Sequence, residues 1–270
     1  MRQSNKSLKS NNIYWYCKYF QQMLVMLIVL LISLTSNSVL ALATNPGAVC
    51  SADFAQGSLT NADYTSLASA VNTNNYVTVA GNAAGSIPLE IRMNTVESNT
   101  NTVLSNFGVI TTDGTSAINV RRTFPNSTTA FTDIDLDFRN ILTEQPIFLT
   151  NVAFSAFDID IAFNNGNLFD DFVRFTGVTA NGTTIPGTFQ PIVGSNILYS
   201  SPGLYTSSAS NCPAKDLGTA CQGAISFADP VTSVKIRYTN TNRISNTPTN
   251  QEIDFRLDNY CYVPQYIFSG

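Results

Sequence analysis

The sequence predicts an all-β protein: one two-sheet antiparallel β-sandwich, jelly-roll-like, with a short helical turn near the start of the folded part. Three observations carry this. Several runs alternate apolar and polar residues with period two, as in Ile134, Leu136 and Phe138 against Asp133, Asp135 and Asp137, the pattern of a half-buried strand. Gly, Asn, Ser and Asp break the runs at short intervals. Charged residues make up only 12% of the chain, so Asn, Thr and Ser supply the polar surface, which suits a β-protein rich in turns.

The elements follow in order. The segment NADYTSLASAVN, Asn61 to Asn72, predicts one or two helical turns with Leu67 and Val71 on one side. Short β-rich runs come next at Tyr76–Ala80, Pro88–Met93, Thr102–Thr112 and Ala117–Phe124. Phe131–Phe138 is the cleanest alternating strand. Pro146–Asp160 reads as a long strand or a broken pair, with Asp171–Ala180 as its expected hairpin partner. Asn181-Gly182 is a strong turn dipeptide. Thr183–Ile192 and Ile197–Ser200 are weaker strands, and the Gly/Ser-rich stretch Val193–Gln222 reads as a long surface excursion. Gly223–Phe227 resumes as strand. Val234, Ile236 and Tyr238, then Ile253, Phe255 and Leu257, alternate with polar residues to close the chain. No internal repeat and no second folded domain is visible.

The first 43 residues are expected to be a signal peptide. Arg2, Lys6, Lys9 and Lys18 form a basic start, Met23–Leu34 an apolar core, and Ala41-Leu42-Ala43 a small-x-small cleavage pattern. The alternative is an uncleaved anchor, since the apolar stretch extended to Leu42 nearly spans a bilayer. Cleavage after Ala43 leaves residues 44–270 as a single exported domain with no stable membrane span. The four leader charges are all basic, so ten Lys+Arg remain against eighteen Asp+Glu, a formal −8. That balance excludes nucleic acid as a partner and leaves an unknown extracellular protein or a glycan. The expected setting is extracellular, cell-surface or periplasmic.

Cys17 falls in the leader, leaving Cys50, Cys212, Cys221 and Cys261. An even count in an exported chain favours disulfides. Of the three pairings, Cys212–Cys221 with Cys50–Cys261 is the expectation, one closing a short loop and the other tying the ends together.

The order NVAFSAFDID, DDFVRFTG, ANGTTIPGTF, ISFADPVTSVKIRY, NQEIDFRLDNYCY resembles a β-sandwich domain of bacterial surface and secreted proteins, of the kind found upstream of immunoglobulin-like surface repeats. The resemblance runs from about Thr123 to Tyr262. It departs from the pattern in showing no repeats and no sortase-type tail after the sandwich. It implies a fold and a cell-surface setting, and no defined ligand.

The chain has no histidine, which excludes Ser-His-Asp and Cys-His catalysis and the usual zinc sites. No phosphate-binding glycine loop appears. Carboxylate chemistry remains. Asp158 and Asp160 precede the Gly/Asn loop of FDIDIAFNNGNLFDDF, and Asp170 and Asp171 follow it; these four are the expected ligands of a Ca²⁺ ion, helped by carbonyls of residues 164–167. The spacing is not that of an EF-hand, and the same acids would serve as turn-capping acceptors. Glu252, Asp254 and Asp258 form a second candidate cation set. Asp133/Asp135/Asp137 or Glu252/Asp254 would be the carboxylate pair of a glycoside hydrolase, although a solvated strand face explains the former. Tyr199, Tyr205, Tyr260 and Tyr262 are candidate sugar platforms, since the one tryptophan, Trp15, lies in the leader. Asn126-Ser127-Thr128 and Asn181-Gly182-Thr183 match the glycosylation sequon. The leading expectation is a non-enzymatic adhesion or extracellular structural role. A calcium-dependent carbohydrate-binding module is the alternative, and a carboxylate-based glycoside hydrolase ranks third.

Overall fold

A computed structural model describes residues 50–80, 89–98, 103–124, 129–162, 169–206, 217–244 and 249–263, all within the compact unit Leu42–Gly270. The expected leader, Cys17, Cys212, residues 164–167 and the Asn126 sequon lie outside the described residues.

Two antiparallel sheets form the sandwich. The seven-stranded sheet runs β11 (Thr188–Gln190), β14 (Gly223–Phe227), β7 (Thr150–Phe157), β16 (Thr249–Tyr262), β5 (Thr115–Phe124) and β4 (Val103–Thr112), with β1 (Ala55–Gly57) paired to the end of β16. The nine-stranded sheet runs β12 (Ile197–Ser200), β13 (Gly203–Thr206), β9 (Phe169–Val178), β15 (Ser233–Ile244), β6 (Phe131–Asn140), β3 (Leu89–Glu97) and β2 (Val77–Thr78). There β8 (Ile161–Ala162) and β10 (Thr184–Pro186) also pair with β9. The chain changes sheet after β1, β3, β5, β6, β7, β10, β11, β13, β14 and β15, so neighbours in space are distant in sequence, as in a jelly roll.

Alternation sets which side chains meet. Ile118 and Val120 of β5, Phe154 and Ala156 of β7, and Ile253 and Phe255 of β16 face Ile134 and Leu136 of β6, Val173 and Phe175 of β9, and Ile236 and Tyr238 of β15 in one core. Phe154 meets Phe175 across the sheets at 5.6 Å between ring centres, and Phe124 meets Tyr238 edge-on at 5.0 Å. Each such buried side chain contributes about 1.5–3 kcal/mol relative to exposure. The helix α1 (Asn61–Ala70) begins with a capping box: Asp63 N–H donates to Thr60 Oγ1 at 3.2 Å, and Thr60 N–H to Asp63 Oδ2 at 2.7 Å. Tyr64 and Leu67 anchor it in the core, and the Tyr64 hydroxyl donates to the Leu257 carbonyl at 3.1 Å.

Two expectations are corrected. The Pro146–Asp160 and Asp171–Ala180 runs do not form a hairpin, because β7 lies in the seven-stranded sheet and β9 in the nine-stranded one. The reason lies at Asp158, whose left-handed backbone (φ 58°) ends β7; the chain then crosses over, and only the stub β8 pairs with β9, Ile161 opposite Asp170. The excursion Val193–Gln222 is not mere surface loop. Within it β12 and β13 form a hairpin that extends the nine-stranded sheet through β9, with Ile197 and Leu204 buried in the core. The Asn181-Gly182 turn is present, with Gly182 at φ 79° joining β9 to β10.

Cys50 and Cys261 are disulfide-bonded, fastening the segment before β1 to β16 across a sequence separation of 211. Cys221 is also disulfide-bonded; its expected partner, Cys212, is outside the described residues.

Candidate functional site

The two sheets present different outer surfaces. On β6, Asp133, Asp135 and Asp137 point outward and stand opposite Arg237, Lys235 and Arg92 of the adjacent strands. Arg237 grips Asp133 through Nε and Nη2 at 2.6 and 2.7 Å. Lys235 reaches Asp135 at 3.0 Å and Asp133 at 3.3 Å. Arg92 bonds Asp137 at 2.7 Å, and Arg139 bonds Glu90 at 2.7 Å. Arg139 also stacks over the Tyr76 ring at 3.8 Å, and Arg237 over Phe131 at 3.6 Å. The basic side chains of this lattice keep 24–40% of their surface in solvent. The three aspartates are thus engaged by cations.

Along the middle of the seven-stranded sheet the outward residues are buried, although Arg121 on β5 is exposed. Asn119 donates to Asp254 at 2.8 Å, Ser155 to Asp258 at 2.6 Å, and Gln222 to Ser155 at 2.6 Å. Arg256 bonds Asp258 and lies over the Phe157 ring. Apart from Arg121, all of these residues are at most 9% exposed. The segment after the excursion contributes Leu217, which packs with Ile110, Ala117 and Phe157 in a second small cluster. Burial pushes the Asp258 carboxyl up to about 6, against the pull of Arg256 and Ser155.

The four aspartates expected as calcium ligands are held in different ways. Asp170 is taken by Thr241, whose N–H donates at 2.9 Å and whose hydroxyl also bonds it. Asp171 is buried between the sheets, accepting from the Tyr238 hydroxyl at 2.8 Å and from the Asp160 N–H at 3.2 Å; desolvation raises its carboxyl well above the usual range. Asp158 is 2% exposed, and its Oδ1 has no hydrogen-bond partner. Burial first, then the carboxylates of Asp160, Asp254, Asp171 and Glu252, push Asp158 up to about 9. Asp254 sits opposite Phe157, one residue before Asp158, across β16 and β7. The structure therefore links Asp158 to two members of the second acidic set, a relation that sequence spacing does not reveal.

Sequence reasoning also passed over a polar layer inside one end of the sandwich. Arg122, on the inward phase of β5, is fully buried and bonds Glu97 on β3, which also accepts from Thr132 at 3.0 Å. The visible signal was a charge on the apolar phase of an alternating strand.

The candidate sugar platforms are packed. Tyr260 and Tyr262 are buried, Tyr199 stacks on Phe189 and donates to the Gly187 carbonyl at 3.1 Å, and Tyr205 stacks on Phe172. A shallow groove at Thr179, Asn181, Ile185, Asp229 and Pro230 holds a single carboxylate.

Neither a family model nor a curated protein matches the sequence. Among solved structures the chain is similar to the family 11 carbohydrate-binding module of the cellulosomal cellulase Lic26A-Cel5E of Clostridium thermocellum, at 6% identity over 66% of this chain and 91% of that one, with a TM-score of 0.28. A likeness at that level carries no argument about what this chain binds.

Proposed function

We propose that this chain is an exported, non-catalytic β-sandwich module that acts by recognition or adhesion, through the outer face of its nine-stranded sheet. The observation that carries the reading is the asymmetry of the two sheets: the middle of one is covered on both sides, and the other leaves a broad ion-paired face half exposed. Cross-strand pairs hold its guanidinium, carboxylate and aromatic groups in fixed positions, so little side-chain entropy is lost when a partner settles on them. The disulfide between Cys50 and Cys261 supports an oxidising, extracytoplasmic setting, in line with the signal-like N-terminus and with the resemblance to bacterial surface domains. A glycan is the favoured partner class, because carboxylates and guanidinium groups side by side suit a neutral, hydroxyl-rich ligand.

The test is a glycan array and a cell-adhesion assay with the wild type and with R92A/K235A, whose residues lie on the open face. Binding by the wild type that falls at least about tenfold in the variant, with Tm nearly unchanged, supports the reading. Binding untouched by the variant, or release of cleaved sugar, would overturn it.

A further inference from the structure

Toward one edge of the open face the cross-strand ion pairing stops. Arg237 of β15 stands opposite Asp133 on one side and opposite Arg174 of β9 on the other. Asp133 is taken by Arg237 and Lys235. Arg174 is exposed and makes no ion pair among the described residues. Like charges directly opposite on adjacent strands are destabilising, so the sheet gives up stability to hold a cation here.

Aromatic contacts fix that cation in place. Arg174 Cζ lies 5.1 Å from the centre of the Phe172 ring, within cation–π range. Phe172 shares the outward phase of β9 with Arg174, and it is buried without belonging to the core between the sheets. The half-buried Tyr205 of β13 stacks on it at 6.4 Å between ring centres. Gly203 stands opposite Arg174, and a Cβ there would lie 2.3 Å from the Phe172 ring, so glycine is what lets the ring lie across β13. Leu198 of β12, opposite Tyr205 and 41% exposed, carries the apolar strip to the sheet edge.

We propose that Arg174, Phe172 and Tyr205 form a subsite for a uronic acid residue of a glycan. The planar guanidinium matches a carboxylate through two parallel N–H···O bonds, and the apolar face of the sugar lies on the Tyr205 ring. This deepens the recognition reading and rests on it: the ion-paired rows suit neutral hydroxyls, while the row at Arg174 asks for a negative charge. The chain is acidic overall, which disfavours a densely sulfated polyanion.

The experiment is calorimetric titration of the full chain with oligomers of galacturonate, glucuronate and mannuronate. Each is run beside its carboxyl-reduced neutral counterpart and a sulfated neutral oligosaccharide. At least one oligouronate should bind about tenfold or more tightly than its reduced counterpart, and the gap should shrink as salt rises. R174A should bind both members of that pair alike, at the wild-type affinity for the neutral one, and Y205A should weaken both. Because Arg174 opposes Arg237, the Tm of R174A should equal or exceed that of the wild type. If every pair binds alike and R174A changes nothing, the subsite is overturned while the recognition reading stands. If the wild type binds none of these sugars, the glycan reading falls and the subsite with it. Preference for the sulfated probe, or a Tm loss of several degrees in R174A, would each overturn the assignment.

Discussion

Two outer surfaces of one sandwich, built from similar residues, have opposite fates. On the nine-stranded sheet Asp133, Asp135 and Asp137 pair with Arg and Lys of neighbouring strands; Asp135 and Asp137 stay about a third in solvent, while Asp133 is buried beneath its half-exposed partners Arg237 and Lys235. On the seven-stranded sheet Asp254, Arg256 and Asp258 are sealed beneath other chain segments. The chemistry of the groups is alike; what differs is whether water can reach them. An exposed ion pair adds little stability and stays available to a partner. A buried one must be satisfied internally, and removing one member strands the other.

The largest effect that would sharpen this contrast lies at the covered sheet's end. Reducing the Cys50–Cys261 bridge, or C50A/C261A, frees a chain segment of 211 residues' separation and should cost about 5 kcal/mol on the loop-entropy scale. Chemical denaturation of C50A/C261A against the wild type measures it, since reductant would also open the Cys221 disulfide.

Next comes Arg256→Ala. It leaves Asp258 buried without its guanidinium and should cost about 3–5 kcal/mol, seen as a lowered urea midpoint. A loss below about 1 kcal/mol would mean that water reaches this face and that the contrast is false.

The pH dependence is third. Asp158 and Asp258 are both raised in the folded chain, to about 9 and about 6, so the native state holds protons that the unfolded state releases. Their contribution is complete below the unfolded value of 3.8 and is lost as pH rises through about 6 for Asp258 and about 9 for Asp158. In EDTA, Tm should therefore fall as pH rises over that window, and D158N should flatten the upper part of the slope. A wild-type Tm rising steadily to pH 9 would count against this.

The smallest effect belongs to the open face. Arg92 and Asp137, each about a third exposed, should show a coupling of at most about 1 kcal/mol in a double-mutant cycle. A coupling several times larger would show that the face is shielded, which would undercut its availability to a partner.

Much of the fold was legible because strand alternation is local. Ile134, Leu136 and Phe138 declared their inward side, and Ile253, Phe255 and Leu257 did the same. The helix was expected from Asn61, and the capping box of Thr60 and Asp63 that starts it is seen in the structure. The hairpin expected between the runs around Phe157 and Asp171 failed because adjacency in sequence does not say which sheet a strand joins, and a left-handed residue at Asp158 sends the chain across. The neighbours of Asp158 were illegible for the same reason: Asp254 lies about a hundred residues away and arrives through β16. The inward charges Arg122 and Glu97 were readable as breaks in an apolar phase, but not as partners of each other.

The sequence by itself determined the all-β class, the inward and outward phases of its strands, and a charge balance unsuited to nucleic acid. Those follow from side-chain period and composition, which act over a few residues. Only the tertiary structure decided which acids are solvated, which are buried, and which stand together around Asp158. Burial and electrostatic neighbourhood depend on the order of strands in the sheets, and that order brings together residues far apart along the chain.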